Sequence, residues 1–298
     1  MGLVVKNVGK HFGEKKAVDN ISFEMQEPGI FGLLGTNGAG KTTTIRMILG
    51  IIKKDTGEIK WNGKDVERKN VKFGYLPEER GIYPKSKIFE QLIYFAELKG
   101  MKKQDAIKEI EYWMERLKVS EYKEMQAEKL SKGNQQKVQF ITAILNDPEL
   151  IVLDEPFSGL DPVNTELLKD VIMELVEKGK YIIMSSHQMT SIEEFCKDVV
   201  IINRGKTVLK GNLKQIKDSY PAKRIEINVK CDIKNYINEL GLEKEKELDN
   251  NYIIKINNEE QANELLKKII NADIKVEKFE LKRPSLNDIF IEKVGGEE

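Results

Sequence analysis

The stretch GTNGAGKT, residues 35–42, determines the fold expected for the first part of the chain. It follows the apolar run IFGLL (30–34), typical of a buried strand, and leads into TTTIRMIL (42–49), which has helical periodicity. In such a strand–loop–helix, the glycines let backbone N–H groups converge on phosphate oxygens. The charge of the lysine suits the β- and γ-phosphates, and the hydroxyl that follows it suits Mg²⁺. The residues predicted to bind the nucleotide are Gly35, Thr36, Asn37, Gly38, Ala39, Gly40, Lys41, Thr42 and Thr43.

A second run, LIVLDEP (150–156), places two carboxylates at the end of a buried strand. In open α/β sheets that end lies beside the phosphate loop. Asp154 therefore fits the carboxylate that holds Mg²⁺, together with the Thr42 hydroxyl. Glu155 is one residue further on and points elsewhere, where it can accept a proton from the attacking water or orient that water. The alternative is a pair of carboxylates that only terminate a strand.

The order of the predicted elements indicates an α/β P-loop NTPase domain followed by a smaller domain. Two buried strands, at 150–156 and 180–186, flank a helical segment, and this order implies parallel pairing. Between about residues 85 and 148 the hydrophobic period is helical, which predicts a helical subdomain. The last part of the chain has the order βαββαβ, which is that of a ferredoxin-like α+β domain, with a hairpin turn at Asp249-Asn250-Asn251. Hairpin turns are also predicted at Asn62-Gly63 and at Asn203-Arg204-Gly205. The predicted domains are 1–221 and 222–298.

Composition excludes several classes of protein. The 49 basic residues balance the 49 acidic ones, which argues against a broad nucleic-acid-binding face, so no nucleic-acid partner is expected. Cys196 and Cys231 lie too far apart for a metal motif, and only two histidines are present. No apolar run approaches the roughly 18 residues that a membrane-spanning helix requires. We therefore expect a soluble chain whose membrane role, if any, comes through a partner.

The stretch LSKGNQQ, residues 130–136, predicts a second helix N-terminus suited to an anion. Ser131 is a good N-cap residue, and Gly133 leaves the backbone N–H groups accessible. A simple helix cap is the alternative on local sequence alone. The feature raises a question, because the chain already has a phosphate loop almost a hundred residues earlier.

Six short motifs in a fixed order answer this question, because together they resemble those of ABC (ATP-binding cassette) ATPases. The resemblance covers residues 1 to about 211. In chain order the motifs are KHFG, GTNGAGKT, GYLPEE, LSKGNQQ, LIVLDEP with SGLD, and SSH.

The resemblance implies further site residues and a mode of assembly. Phe12 of KHFG matches the aromatic residue that stacks on adenine, with a plain core phenylalanine as the alternative. Asp161 of SGLD belongs to the loop that communicates between paired subunits, and His187 matches the histidine that contacts the γ-phosphate. Two cassettes would pair head to tail, so that Ser131 and Gly133 face the γ-phosphate of the partner's ATP. ATP binding would hold the dimer closed, and hydrolysis would release it.

The chain departs from the family pattern at three positions. Lys132 and Asn134 stand in the signature where the family usually has Gly and Gln, and Lys132 adds a cation near a phosphate site. Glu78, after GYLP, replaces the usual Gln. A carboxylate suits Mg²⁺, so Glu78 is predicted to be a third metal ligand beside Thr42 and Asp154.

The C-terminal stretch PSLNDIFIE (284–292) is similar to the tail of ATPase subunits of ABC-2-type exporters, a group that includes sodium-efflux and drug-resistance ATPases. The implied function is the ATP-hydrolysing subunit of a membrane exporter, at the cytoplasmic face of the cell membrane. Its partners would be a second copy of itself or a related ATPase, and integral membrane permease subunits. Contact with the permease would involve the helical subdomain and the Glu78–Pro84 loop.

Two other functions are compatible with parts of the sequence. An ABC ATPase acting on DNA or ribosomes is the first, but the chain has no long heptad run and only one phosphate loop. The second makes the βαββαβ domain an RNA-binding module. That module requires aromatic residues on its central strands, and only Tyr252 is available there.

Overall fold

The computed structural model describes residues 2–67, 71–79, 81–248 and 250–295. Two predicted features extend outside these ranges, because the Glu78–Pro84 loop contains Arg80 and the predicted hairpin turn at 249–251 contains Asp249. The chain divides into two compact units, Met1–Gly211 and Asn212–Glu298. This division lies earlier than the predicted boundary after residue 221 and assigns the short helix that follows Asn212 to the second unit.

The first unit contains both strands and helices. In chain order its elements are β1 (Leu3–Phe12), β2 (Lys15–Met25), β3 (Gly29–Leu34), α1 (Lys41–Ile48), β4 (Thr56–Trp61), β5 (Lys64–Asp65), β6 (Phe73–Leu76), α2 (Ile88–Leu98), α3 (Lys103–Arg116), α4 (Lys132–Ile144), β7 (Leu150–Asp154), α5 (Pro162–Glu177), β8 (Tyr181–Ser186), α6 (Thr190–Glu193), β9 (Asp198–Asn203) and β10 (Lys206–Asn212), with short 3₁₀ turns at Ser120–Tyr122 and Ala127–Lys129.

A six-stranded sheet in the order β10-β9-β3-β8-β7-β6 forms the centre of the first unit. Strands β9, β3, β8, β7 and β6 pair in parallel, which confirms the predicted parallel arrangement. Every residue of β7 is buried, as expected for a strand of a sheet that is covered on both faces. Since the strands run in parallel, the residues that follow β3, β7 and β8 meet at one edge of the sheet.

A four-stranded antiparallel sheet, β2-β1-β4-β5, lies in the same unit. Its β4–β5 hairpin turns at Asn62-Gly63, as predicted. Both residues have positive φ, 49° and 79°, which is the backbone that this turn requires.

Helices α2, α3 and α4 are inserted between β6 and β7 and form the predicted helical layer. Their buried faces repeat at helical spacing, as with Ile88 and Leu92 on α2, and Ile110 and Met114 on α3. Helix α4 begins at Ser131, whose side chain accepts a hydrogen bond from the backbone N–H of Asn134. The predicted N-terminus of this helix is therefore confirmed.

The second unit is a four-stranded antiparallel sheet with helices. Strand order is β12-β13-β11-β14, as in a ferredoxin-like fold. The sequence did not predict the short first helix or the last one. The elements are α7 (Leu213–Asp218), β11 (Arg224–Val229), α8 (Lys234–Glu239), β12 (Glu243–Leu248), β13 (Asn251–Lys255), α9 (Glu259–Asn271), β14 (Val276–Lys282) and α10 (Leu286–Gly295).

The core of this unit bears on the RNA-binding alternative. Tyr252 is fully buried, in a cluster with Ile227, Ile254 and Leu265. Its ring is therefore occupied by packing and cannot stack on a base. Across the part of the chain that the structure describes, no helix has both the length and the apolar character needed to cross a membrane.

Candidate nucleotide-binding site

The phosphate loop closes around its own lysine. The ammonium of Lys41 donates to the carbonyl oxygens of Gly35 at 2.8 Å and Thr36 at 3.3 Å. Lys41 is also the first residue of α1, so its charge lies at a helix N-terminus. A buried cation and the free N–H groups of that helix turn together form a site for phosphate oxygens.

Two glycines of the loop are required by their surroundings. Gly40 has φ 109°, and a Cβ there would lie 2.6 Å from the carbonyl oxygen of Ala17. At Gly35 a Cβ would lie 2.1 Å from the carbonyl oxygen of Ile202. Any larger side chain would push the loop away from the neighbouring backbone, so this close approach explains the glycines that the motif contains.

Asp154 lies next to the loop, as predicted. One of its carboxylate oxygens accepts a hydrogen bond from the Thr42 hydroxyl at 3.2 Å, and the other accepts one from Ser185. Burial raises the pKa of the Asp154 carboxyl, and the hydrogen bonds from Ser185 and Thr42 act in the opposite direction. Both groups are oxygen ligands of the kind that Mg²⁺ prefers.

The few oxygen ligands at this site fit Mg²⁺ bound together with a nucleotide, and they do not fit a metal that protein side chains alone must hold. Within the described ranges, no group of three or more His, Cys, Asp and Glu residues is placed to hold a metal. Mg²⁺ in nucleotide sites needs only one or two protein ligands, because phosphates and water complete its shell. Thr42 and Asp154 meet that requirement, and Glu78 lines the adjoining cavity.

Glu155 and His187 form a pair at the same edge of the sheet. One carboxylate oxygen of Glu155 accepts the backbone N–H of His187 at 2.7 Å and lies 2.7 Å from the Nδ1 atom of its ring. The other oxygen accepts a hydrogen bond from Ser186 at 3.2 Å. Glu155 has φ 53°, a left-handed conformation that costs a non-glycine residue about 1 kcal/mol. This backbone turn directs consecutive carboxylates to different partners.

A cavity of about 720 Å³ opens beside the phosphate loop. Phe12 lines it and is 53% exposed, so this ring is available to a ligand and is not a core phenylalanine. The described residues that line the cavity are Phe12, Lys15, Lys16, Ala17, Asn37, Gly38, Gly40, Lys41, Thr42, Thr43, Glu78, Arg204 and Gly205.

Five of these lining residues were missed by the sequence analysis, namely Lys15, Lys16, Ala17, Arg204 and Gly205. Lys15, Lys16 and Ala17 begin β2, and Arg204 and Gly205 form the turn between β9 and β10. The backbone N–H of Gly205 donates to the carbonyl of Ala39 at 2.9 Å, which fixes this turn against the phosphate loop. The hairpin at 203–205 was predicted, but its position depends on the pairing of β9 with β3, which no local motif encodes.

Six predicted nucleotide-binding residues are not among those that line this cavity: Gly35, Thr36 and Ala39 of the phosphate loop itself, and Ser131, Gly133 and Asp161 elsewhere in the chain. Ser131 caps α4 and is exposed, while Asp161 caps α5 and accepts the backbone N–H of Asn164 at 2.9 Å. Gly133 packs beside the SGLD loop, since a Cβ on it would lie 3.4 Å from the Leu160 side chain. Within one chain, the signature helix and the SGLD loop are neighbours of each other and do not complete the cavity around Lys41.

Comparison with known proteins gives consistent matches. The family model described as "ABC transporter" matches residues 18–158, and a model for the C-terminal domain of DrrA1-3-like ATP-binding proteins matches residues 211–294. The uncharacterized ABC transporter ATP-binding protein YhaQ of Bacillus subtilis (strain 168) is 48% identical over 98% of this chain and 98% of its own length.

More distant matches include proteins named for resistance and export. The linearmycin resistance ATP-binding protein LnrL of Bacillus subtilis (strain 168) is 32% identical, over 70% of this chain and 68% of its own. The lipopolysaccharide export system ATP-binding protein LptB of Haemophilus influenzae is 30% identical, over 75% of this chain and 95% of its own. A solved ATP-binding subunit of an ABC transporter superposes with a TM-score of 0.68 at 28% identity, over 74% of this chain and 93% of that one.

Proposed function

The chain belongs to the family of ABC transporter ATP-binding proteins, and we propose that it is the ATP-binding and ATP-hydrolysing subunit of a membrane exporter. The observation that carries the hydrolytic part is the meeting of Lys41, Asp154 and Glu155 at one edge of the parallel sheet. Relatives named for export and resistance support the direction of transport.

In this proposal the chain's own residues bind and orient the nucleotide. Phe12 stacks on the adenine, and Lys41 with the N–H groups of the loop holds the β- and γ-phosphates. Mg²⁺, when bound by Thr42, Asp154 and Glu78, would neutralise charge on those phosphates. Glu155 orients the attacking water and accepts its proton, and His187 is fixed at the γ-phosphate side by its hydrogen bonds to Glu155.

We infer that a dimer completes the site. Ser131 is exposed at the start of α4, so a second molecule can approach it. The N-terminus of that helix attracts anions, yet the helix start does not line its own chain's cavity. Head-to-tail pairing, with a second copy or a related ATPase subunit, would place Ser131 and Gly133 on the partner's γ-phosphate and bring Asp161 to the interface.

The permease contact is proposed at an exposed aromatic surface on the helical layer. Tyr83 stacks on Phe95, with ring centroids 5.8 Å apart, and lies 6.4 Å from Tyr94. Leu98 follows Tyr94 by one helical turn and is 66% exposed. We call Tyr83, Tyr94, Phe95 and Leu98 the docking surface. Contiguous exposed apolar and aromatic groups of this kind mark protein interfaces.

A groove continues the docking surface toward the central sheet. It has a volume of about 550 Å³ and begins at Leu98. Other lining residues include Ile51, which is 44% exposed, and Tyr75, which lies on β6, the strand that leads into the Glu78 loop. A permease segment seated there would contact the helical layer and the nucleotide-binding layer together, which is what coupling of hydrolysis to transport requires.

Membrane association tests this assignment. We expect the chain to sediment with the membranes of the cells that produce it, and the double substitution Tyr94→Asp, Leu98→Asp to move most of it to the soluble fraction. Two charges would make burial of this surface against a permease unfavourable. Met173→Asp on α5, also at an exposed apolar position, is the matched control and should leave the distribution unchanged. Equal release by both variants would contradict the docking surface.

The second unit should not be needed for nucleotide binding. All described residues that line the cavity lie between Phe12 and Gly205, and the second unit has a hydrophobic core of its own. A chain ending after Asn212, which retains the whole of β10, should therefore bind ATP about as tightly as the full chain by equilibrium dialysis. Lys41→Ala in the shortened chain is the negative control. A folded shortened chain without ATP affinity would mean that the second unit completes the site.

A further inference from the structure

A buried glutamine connects the signature helix with the loop that carries Glu78. Gln139 lies on α4 and is 2% exposed. Its side-chain amide donates to the carbonyl oxygen of Pro77 at 3.2 Å and to that of Glu79 at 3.0 Å. These two carbonyls flank Glu78, whose side chain lines the nucleotide cavity. One amide group therefore fixes the backbone on both sides of the predicted metal ligand.

Packing alone does not account for this glutamine. The Oε1 atom of Gln139 is buried and accepts no hydrogen bond from the residues that the structure describes. A buried amide with an unpaired acceptor is costly, and an apolar side chain of similar length would fill the same volume without that cost. The two donated hydrogen bonds are what distinguishes glutamine from such a replacement.

Because Gln139 lies on α4, these hydrogen bonds connect the Glu78 loop to the helix that carries the signature residues at its N-terminus. The helix begins at Ser131, about 12 Å away at the rise of an α-helix. A helix of this length moves as one body. Any displacement of its N-terminus is therefore transmitted to the backbone of Pro77 and Glu79 through Gln139.

We propose that Gln139 is a positioning residue that holds Glu78 toward the metal side of the chain's own nucleotide site and couples that site to the signature helix. This proposal rests on the proposed function, because Glu78 acts as a metal ligand and Ser131 as a partner contact only in an ABC ATPase dimer. Gln139 acts through Glu78 and does not contact the nucleotide itself.

The same helix provides a matched control. Gln135 also donates its side-chain amide to two backbone carbonyls, those of Ala127 at 2.9 Å and Leu130 at 3.2 Å. Those carbonyls precede α4 and do not belong to the Glu78 loop. Gln135→Met and Gln139→Met therefore each remove two hydrogen bonds from a side-chain amide to backbone carbonyls, and only the second releases Glu78.

The test measures metal affinity directly, using Mn²⁺ as a paramagnetic substitute for Mg²⁺. Mn²⁺ is titrated into the full chain with bound ADP and followed by electron paramagnetic resonance. Gln139→Met should weaken Mn²⁺ binding by about tenfold, the equivalent of losing two ordinary hydrogen bonds. ADP affinity in EDTA should not change, and Gln135→Met should alter neither quantity.

A double-mutant cycle with Glu78→Gln separates positioning from a general structural effect. If Gln139 acts through Glu78, Gln139→Met should weaken Mn²⁺ binding no further in the Glu78→Gln background. An additive loss, an unchanged Mn²⁺ affinity in Gln139→Met, or an equal loss in Gln135→Met would each overturn the inference. Should Gln139→Met not fold, Gln139→Asn, whose shorter amide cannot reach both carbonyls, is judged by the same criteria. Failure of the wild-type chain to hydrolyse ATP would instead overturn the proposed function.

Discussion

Glu155→Gln should lower ATP turnover by about 10²–10⁴-fold, the usual contribution of a general base, while ATP binding persists. The amide cannot accept a proton from water, so the chemical step slows. It has nearly the same shape and lies next to the phosphate contacts rather than among them, since Lys41 and Thr42 belong to another segment. The measurements are phosphate release under saturating MgATP and nucleotide affinity by equilibrium dialysis.

Asp154→Asn provides the contrast that makes this test specific. Asp154 contacts the Thr42 hydroxyl, so its loss should weaken Mg²⁺-dependent ATP binding, whereas Glu155→Gln should not. Turnover near the wild-type rate in Glu155→Gln would show that another group activates the water. Loss of ATP affinity in that variant would show that Glu155 supports the phosphate loop instead.

Local motifs predicted the parts of the site whose chemistry resides in consecutive residues. The phosphate loop is one continuous segment. A strand–loop–helix that binds phosphate needs these glycines and this lysine whatever the rest of the fold. The caps of α4 and the buried strand before Asp154 are similarly local. These features depend on short-range sterics and hydrogen bonds, which a single stretch of sequence specifies.

Contacts between segments could not be predicted in this way. The pairing of Glu155 with His187 depends on the register of β7 against β8, in which Asp154 lies opposite Ser185. Arg204 reaches the cavity because β9 pairs with β3, and Gln139 reaches the Glu78 loop because α4 packs under it. Each of these contacts joins distant parts of the chain, and neither periodicity nor spacing identifies the partner.

The two helices that the sequence did not predict have a different cause. Helix α7 has a start signal that the sequence does contain, because the Asn212 side chain accepts the backbone N–H of Gln215 as an N-cap. Helix α10 follows Pro284 in a stretch that was interpreted by its similarity to exporter tails. Its first turn is closed by Ser285 and Asp288, whose side chains exchange hydrogen bonds with each other's backbone N–H groups, a capping arrangement that the sequence PSLND does contain.

Ser131→Arg should abolish ATP-driven dimerisation while the monomer still binds ATP. In the proposed dimer, the arginine side chain would occupy the space that the partner's γ-phosphate must enter. The chain's own cavity does not include Ser131, so its nucleotide contacts remain. The lost N-cap costs about 1 kcal/mol, too little to unfold a domain of ordinary stability.

Lys41→Ala should behave in the opposite way, because it removes the buried cation of the phosphate loop and weakens ATP binding by the monomer itself. Ser120→Arg, at an exposed serine in the same helical layer, is the matched control and should change neither property. Nucleotide affinity is measured at low protein concentration. The dimer fraction is measured by light scattering with ATP, in the Glu155→Gln background so that hydrolysis does not dissociate the complex.

If Ser131→Arg weakened monomeric ATP binding as strongly as Lys41→Ala, with the fold intact, the signature helix would serve its own chain's nucleotide. Head-to-tail sharing of ATP would then be wrong for this protein, because Ser131, which is expected to act only in the partner's site, would have acted in its own chain's site.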